Sequence, residues 1–103
     1  MVRKINLKED NKHLAFLKVL GGLFSLDERE VLCIYHSQVH ADLPFTTNNR
    51  LYVREQMGFK DRSSLNNAMK RMIKKKAVTK KQGVYEIHPL LNYGNEEKIL
   101  FDL

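Results

Sequence analysis

The stretch "RLYVREQMGFKDRSSLNNAMKRMIKKKAVTKKQGVYEIHP", residues 50–89, decides the fold. Gly58 follows a short apolar helix pattern, where glycine commonly ends a helix in the left-handed conformation. Asp61 is placed to cap a second helix. The apolar residues of that helix fall on one stripe: Leu65, Ala68, Met69, Met72 and Ile73. Two alternating segments around Gln82-Gly83 then predict a pair of short antiparallel strands.

The segment before this stretch predicts two further helices. In residues 11–24 the apolar side chains recur at helical spacing, with Phe16 and Val19 widening the face: Leu14, Leu17, Leu20, Leu23 and Phe24. The preceding "MVRKINL" is compatible with a short strand or a loose end. Ser25 and Glu28 form a capping-box pattern at the start of the next helix.

That next helix and the one after it have predicted inward faces. The first should bury Val31, Ile34 and Tyr35, together with Leu32 or Val39, and end before Pro44. The cap candidates of the following helix are Thr46, Thr47 and Asn48. We expect Leu51, Val53 and Met57 to face its core side.

Residues 46–89 resemble a winged helix-turn-helix. The likeness is carried by the Met57-Gly58-Phe59 turn, by a serine-led second helix that closes on Met72, and by a basic hairpin. The preceding "LDEREVLCIYHSQ" is similar to the helix that packs behind this motif. Two departures stand out, because Arg54 occupies a position that is usually small and the turn is one residue longer than the tight form.

The resemblance implies an α+β fold, a mainly helical winged helix-turn-helix with a C-terminal β-hairpin wing. Residues 1–103 would form a single domain with a core over 11–89, the helix-turn-helix over 46–76, the wing over 77–89 and a tail over 92–103. The ending "VYEIHPLL" is also similar to the close of winged domains in small phage and plasmid replication or regulatory proteins.

Positive charge is concentrated in the same segment. Residues 60–81 hold nine basic residues and one acidic residue, a net charge of +8, whereas the whole chain carries +6. A basic cluster of this kind is expected of a protein that binds a phosphate backbone. The competing interpretation is a lysine-rich surface that keeps the protein in solution.

The predicted second helix of the motif offers a candidate DNA-reading face. With Leu65 and Met69 inward, the opposite stripe is Ser63, Asn67, Lys70 and Lys74, flanked by Asn66 and Arg71. Such a helix fits the major groove, where asparagine can bind adenine and lysine or arginine can bind guanine.

Further candidates are expected to contact the DNA backbone. Ser63 and Ser64 lie near the helix start and suit phosphate oxygens. The predicted wing tip consists of Lys80, Lys81 and Gln82. The run Lys74, Lys75 and Lys76 would add attraction that ignores sequence. Since Lys75 does not face the predicted core, its replacement should leave stability unchanged.

A possible metal site is weighed and set aside. Cys33, His36 and His40 recur at i, i+3 and i+7 and are zinc-ligand types, and His88 is a conceivable fourth. Structural zinc sites usually take four ligands from two segments, whereas this chain has one cysteine. We therefore predict no metal and no cofactor. Neither a phosphate-binding glycine loop nor a G-x-S-x-G motif occurs, so we expect no enzymatic activity.

The remaining expectations concern location and partners. A single cysteine fits a reducing compartment, and the polar N-terminus is unlike a secretory signal, so we expect a cytoplasmic or nucleoid-associated protein. No apolar run approaches the ~20 residues that span a bilayer. The expected partner is double-stranded DNA, and the tail "NYGNEEKILFDL" could pair with a second copy in a homodimer or pack on its own domain.

Four functional alternatives stay open at this point. A transcription regulator and a replication or maintenance factor are equally compatible with these residues. A winged helix used as a protein-interaction adaptor would show apolar residues on the outward helix face, where polar ones are predicted. An RNA-binding module usually carries stacking aromatics, and the nearest to the basic segment is Tyr85.

Overall fold

The computed structural model describes the backbone of residues 2–92 and the side chains of residues 12–92. Four α-helices are followed by a two-stranded antiparallel sheet, so the fold is α+β and mainly helical. The helices are α1 (Val2–Gly21), α2 (Glu28–His40), α3 (Thr47–Met57) and α4 (Arg62–Lys74). The strands are β1 (Val78–Lys81) and β2 (Val84–Ile87), and short 3₁₀ helices span Gly22–Phe24 and Pro89–Leu91.

The junction between α3 and α4 forms as its residues predict. Thr46 caps α3 by accepting a hydrogen bond from the Asn49 backbone amide. Gly58 ends α3 with φ of 72°, in the left-handed region that glycine adopts without a Cβ penalty. Asp61 caps α4 by accepting from the Ser64 amide at 3.1 Å. The predicted helix, glycine turn and helix are therefore confirmed.

The hairpin also matches its prediction. Val78 pairs with Ile87 and Lys81 with Val84, which leaves Gln82 and Gly83 as a two-residue turn. Both turn residues have positive φ, as the tight turn favoured by twisted strands requires. Beyond the strands, the His88 amide donates to the Ala77 carbonyl at 2.8 Å. This hydrogen bond connects the end of the hairpin to the segment between α4 and β1.

Two predictions about secondary structure and capping in the first half of the chain are wrong. The segment expected to be a short strand or loose end is helical, because α1 begins at Val2. The capping box of α2 is formed by Asp27 and Glu30 rather than by Ser25 and Glu28. Ser25 instead takes a left-handed conformation that turns the chain after the first 3₁₀ helix, so it cannot cap.

The core lies where the four helices and the hairpin meet. Its buried apolar residues are Leu17, Val31, Cys33, Ile34, Phe45, Val53, Leu65, Ala68, Met69, Met72, Ala77, Val78, Ile87 and Leu91. The predicted stripe of α4 is confirmed, with Ile73 packed against the core from its edge. Exposed instead are Leu51 on α3, Val39 on α2, and Val19 and Leu23 near the end of α1. Their helical spacing was right, but each helix buries a narrower face than the pattern indicated.

One buried amide joins α2 to α3. The Asn49 side-chain oxygen accepts hydrogen bonds from the Ser37 hydroxyl and from the Phe45 amide at 2.7 Å. Its nitrogen donates to the Ser37 carbonyl at 3.1 Å and lies 3.0 Å from Nδ1 of His40. The His40 ring in turn stacks on Tyr52, with ring centroids 4.2 Å apart. Asn49 is almost fully buried, yet every polar atom of its side chain has a partner.

Within residues 2–92, no helix is long and apolar enough to span a bilayer. The predicted dimer contact falls almost entirely on residues 93–103, which lie outside the described residues.

Candidate nucleic-acid interface

The outward face of α4 is polar and open to solvent. Ser63, Asn67, Lys70 and Lys74 are all exposed, and Asn66 is exposed beside them. These positions recur at helical spacing opposite the buried stripe. The face therefore presents amide, hydroxyl and ammonium groups without a large apolar side chain among them.

A groove separates this face from the hairpin. It encloses about 470 Å³ and is lined by Arg50, Asn66, Lys70, Lys80 and Tyr85 over the apolar edge of α4. The Arg50 guanidinium lies 5.7 Å from the centre of the Tyr85 ring, and the Lys80 ammonium lies 5.2 Å from it. Cations from α3 and β1 thus flank one aromatic ring, and Lys70 of α4 lines the same groove.

Arg50 and Asn66 also line a second depression, a cleft of about 410 Å³ between α3 and α4. Arg54 and Arg62 contribute to its walls. Sequence reasoning missed all three arginines as site residues, and Arg54 was noted only as a departure from a small residue. Their signal is a spacing of four between Arg50 and Arg54, which places both on one face of α3.

The hairpin tip and the end of α4 carry the remaining candidate cations. Lys80, Lys81 and Gln82 are exposed at the tip, and Lys76 is exposed where the chain leaves α4. Lys76 has a φ of 69°, which turns the backbone from the helix into β1. These side chains are accessible to a bulky polyanion.

Two predicted interface residues have a different partner. Arg71 Nε lies 3.4 Å from Glu30 Oε2, and Lys75 Nζ donates to Glu30 Oε1 at 2.6 Å. Glu30 is fully buried, so Lys75 balances a carboxylate that has been removed from water. The expectation that replacing Lys75 leaves stability unchanged conflicts with this ion pair, because Lys75, the residue after α4, contacts Glu30 at the start of α2.

The start of α4 is occupied by its own cap. Asp61 Oδ1 accepts from the Ser63 hydroxyl at 2.7 Å and from the Ser64 hydroxyl at 3.3 Å, as well as from the Ser64 amide. These hydrogen bonds, that from the Ser63 side chain above all, hold the pKa of Asp61 below its usual range. A phosphate approaching Ser63 or Ser64 would therefore meet an ionised carboxylate first.

The zinc-type residues of α2 lie in unlike surroundings. Burial raises the pKa of the Cys33 thiol to about 12, with smaller contributions from the charges of Asp27 and Glu30. Burial also lowers the pKa of His36, while His40 is held by Asn49 and Tyr52. Among the described residues, no group of three or more His, Cys, Asp or Glu side chains could hold a metal ion.

A comparison of the chain with protein-family models, with curated proteins and with solved structures finds no match.

Proposed function

We propose that this protein binds double-stranded DNA as a winged helix, with α4 in the major groove and the hairpin against the backbone. The observation that supports this proposal is that two surfaces lie side by side, the exposed polar face of α4 and the basic hairpin. The groove between them is lined by Arg50, Lys70 and Lys80. Helix, groove and hairpin offer donors to bases and to phosphates on one side of the molecule.

The side chains divide by the contacts they support. Asn66, Asn67 and Lys70 are suited to base edges, since they project from the exposed face of α4. Lys74, Lys80 and Lys81, with Gln82 between the strands, are suited to phosphate oxygens. The protein would act by occupying a site, as a transcription regulator or as a replication or maintenance factor.

The charge distribution supports duplex DNA over a protein partner. An adaptor surface would need apolar or aromatic anchors on the outward face of α4. That face carries serine, asparagine and lysine instead. The aromatic ring that lines the groove, Tyr85, is flanked by two cations.

The test measures binding to a random-sequence duplex at a series of salt concentrations, with fluorescence anisotropy of the labelled duplex as the readout. Log affinity should fall linearly with log salt concentration, because phosphate contacts release counterions. Replacing Lys80 and Lys81 by alanine should flatten that slope by about one to two units and weaken all duplexes alike. A wild-type protein that binds no duplex at low salt contradicts the proposed function, and an unchanged slope in the variant removes the hairpin from the interface.

A further inference from the structure

The cleft between α3 and α4 has an unusual concentration of guanidinium groups. Arg50 and Arg54 project from one face of α3, and Arg62 opens α4 on the facing wall. Thr47 and Asn66 add a hydroxyl and an amide, and Leu65 contributes to the lining from the buried side of α4. Among the residues that the structure describes, no acidic side chain lines the cleft. Its arginines therefore carry a formal charge of +3 that the lining does not compensate.

The three arginines lack anionic partners in the described part of the chain. The ion pairs there join Glu30 to Arg71 of α4 and to Lys75, the residue after α4, and neither of these cations lines the cleft. Nε of Arg54 is buried and has no hydrogen-bond partner among the described residues. A buried donor of this kind is normally satisfied in a folded protein. The lining of the cleft thus combines unbalanced charge with an arginine whose buried Nε–H has no partner among the described residues.

We propose that the α3–α4 cleft is a phosphate-binding site. The planar guanidinium fork matches phosphate oxygens with two parallel hydrogen bonds, and three forks can surround one tetrahedral group. A carboxylate, with one negative charge and two oxygens, would leave most of the +3 charge unbalanced. A phosphate monoester carries about −1.5 to −2 charges and three strong acceptor oxygens. Arg50, Arg54 and Arg62 supply guanidinium donors from the lining of the cleft, and Thr47 and Asn66 add a hydroxyl and an amide.

Two sources could supply the phosphate. One is the backbone of duplex DNA, in which case the site rests on the proposed function and extends the interface from α4 onto α3 through the shared residues Arg50 and Asn66. The other is a free phosphorylated small molecule, which would bind independently of DNA. The chemistry at the cleft is the same in both cases.

The first arm of the experiment uses inorganic pyrophosphate and isothermal titration calorimetry at low ionic strength. Arg54→Gln and Arg62→Gln are compared with wild type, and Lys18→Gln on the exposed side of α1 is the charge-matched control. Removing one charged donor should lower the affinity for pyrophosphate at least about tenfold, whereas the control should change that affinity by less than about twofold. Arg62 is exposed, so its variant tests the cleft even if Arg54→Gln is poorly folded.

The second arm repeats the comparison with a random-sequence duplex. If Arg54→Gln weakens the duplex about tenfold more than Lys18→Gln does, the phosphate belongs to the DNA backbone. If Arg54→Gln lowers the affinity for pyrophosphate but not for the duplex, the ligand is a free phosphorylated molecule. Both results support the site. A protein that binds pyrophosphate but no duplex refutes the proposed function and leaves the cleft standing. Cleft variants that match Lys18→Gln with both probes overturn the inference.

Discussion

Replacing Lys75 by methionine should destabilise the protein, although Lys75, the residue that follows α4, is only partly buried. Its ammonium group donates to Oε1 of Glu30 at 2.6 Å. The same carboxylate oxygen accepts the Asp27 amide at 2.9 Å and so completes the capping box of α2. Methionine reaches as far as the lysine Cε and is apolar, so the substitution removes the ammonium group with its charge and its donors. The buried carboxylate would then retain Arg71 as its one cationic partner among the described residues.

The magnitude follows from burial and distance. A hydrogen bond to a charged group contributes about 1.5–3 kcal/mol, and removing one partner of a fully buried pair costs about 3–5 kcal/mol. The range of about 1.5–3 kcal/mol applies here, because 29% of the Lys75 side chain is exposed and Arg71 remains 3.4 Å from Oε2 of Glu30. We therefore expect a loss of about 2 kcal/mol in the free energy of unfolding. For a domain of this size, that corresponds to a fall in Tm of roughly 10 °C.

Urea denaturation monitored by far-ultraviolet circular dichroism measures this loss. The midpoint should fall while the slope with denaturant stays constant, since the surface exposed on unfolding is unchanged. Lys74→Met is the matched control, because Lys74 is exposed one residue away and makes no ion pair within the described residues. The control should alter stability by less than about 0.5 kcal/mol.

A double-mutant cycle with Glu30→Gln assigns the effect to the pair. In the Glu30→Gln background no buried charge needs compensation, so Lys75→Met should cost much less than in wild type. Equal losses for Lys75→Met and Lys74→Met in the wild-type background would refute the reasoning. The same holds if Lys75→Met costs as much in the Glu30→Gln background as it does beside the native carboxylate.

The other predictions concern base reading and titration. Asn67→Ala should cost about 1–3 kcal/mol on a selected DNA site while leaving affinity for random duplex nearly intact, and equal losses on both duplexes would exclude α4 as the reading helix. Native Cys33 should resist iodoacetamide at about pH 8 and react only after unfolding, because burial raises the pKa of its thiol to about 12 and only the thiolate attacks. Rapid labelling of folded protein would contradict this. Since burial lowers the pKa of His36 below 6.5, the unfolded chain binds its proton first. The free energy of unfolding should therefore decrease as pH falls through about 6.5, and His36→Gln should lose part of that decrease in urea titrations at several pH values.

Local signals predicted the C-terminal half well. The caps of α3 and α4, the left-handed Gly58 and the Gln82-Gly83 turn each depend on residues within a few positions of one another. Such preferences act through backbone geometry and need no distant partner. The burial of the apolar stripe of α4 was predicted equally well, because it depends on the periodicity of one helix.

The start of α2 shows where local reading fails. "SLDERE" contains two overlapping patterns, Ser25 with Glu28 and Asp27 with Glu30, and both have the spacing of a capping box. Asp27 is the cap because the chain first makes a left-handed turn at Ser25, and because Glu30 pairs with Lys75, the residue after α4. Lys75 lies 45 residues from Glu30 in the sequence, so a pattern read over a few neighbouring residues does not include it.

The candidate site divides in the same way. The exposed residues of α4 and the hairpin could be listed from periodicity and charge. The arginine cleft could not, because it requires the facing surfaces of two helices to be known together. Arg54 stood out in the sequence only as a residue too large for its position, and the space that accommodates it exists between α3 and α4.

The buried amide of Asn49 has a consequence for the energetics of ligand capture. It locks the first turns of α3 onto α2, and Arg50 is the next residue in the chain. The backbone that carries Arg50 and Arg54 is thus fixed on folding, so less backbone entropy would remain to be lost at the proposed phosphate site. Lys81 lies exposed at the end of a two-stranded ribbon, so its side chain would lose more rotamer freedom on contact with an anion. If the proposed sites bind an anion, the arginines on the anchored helix should therefore contribute more affinity per charge than the lysine at the hairpin tip.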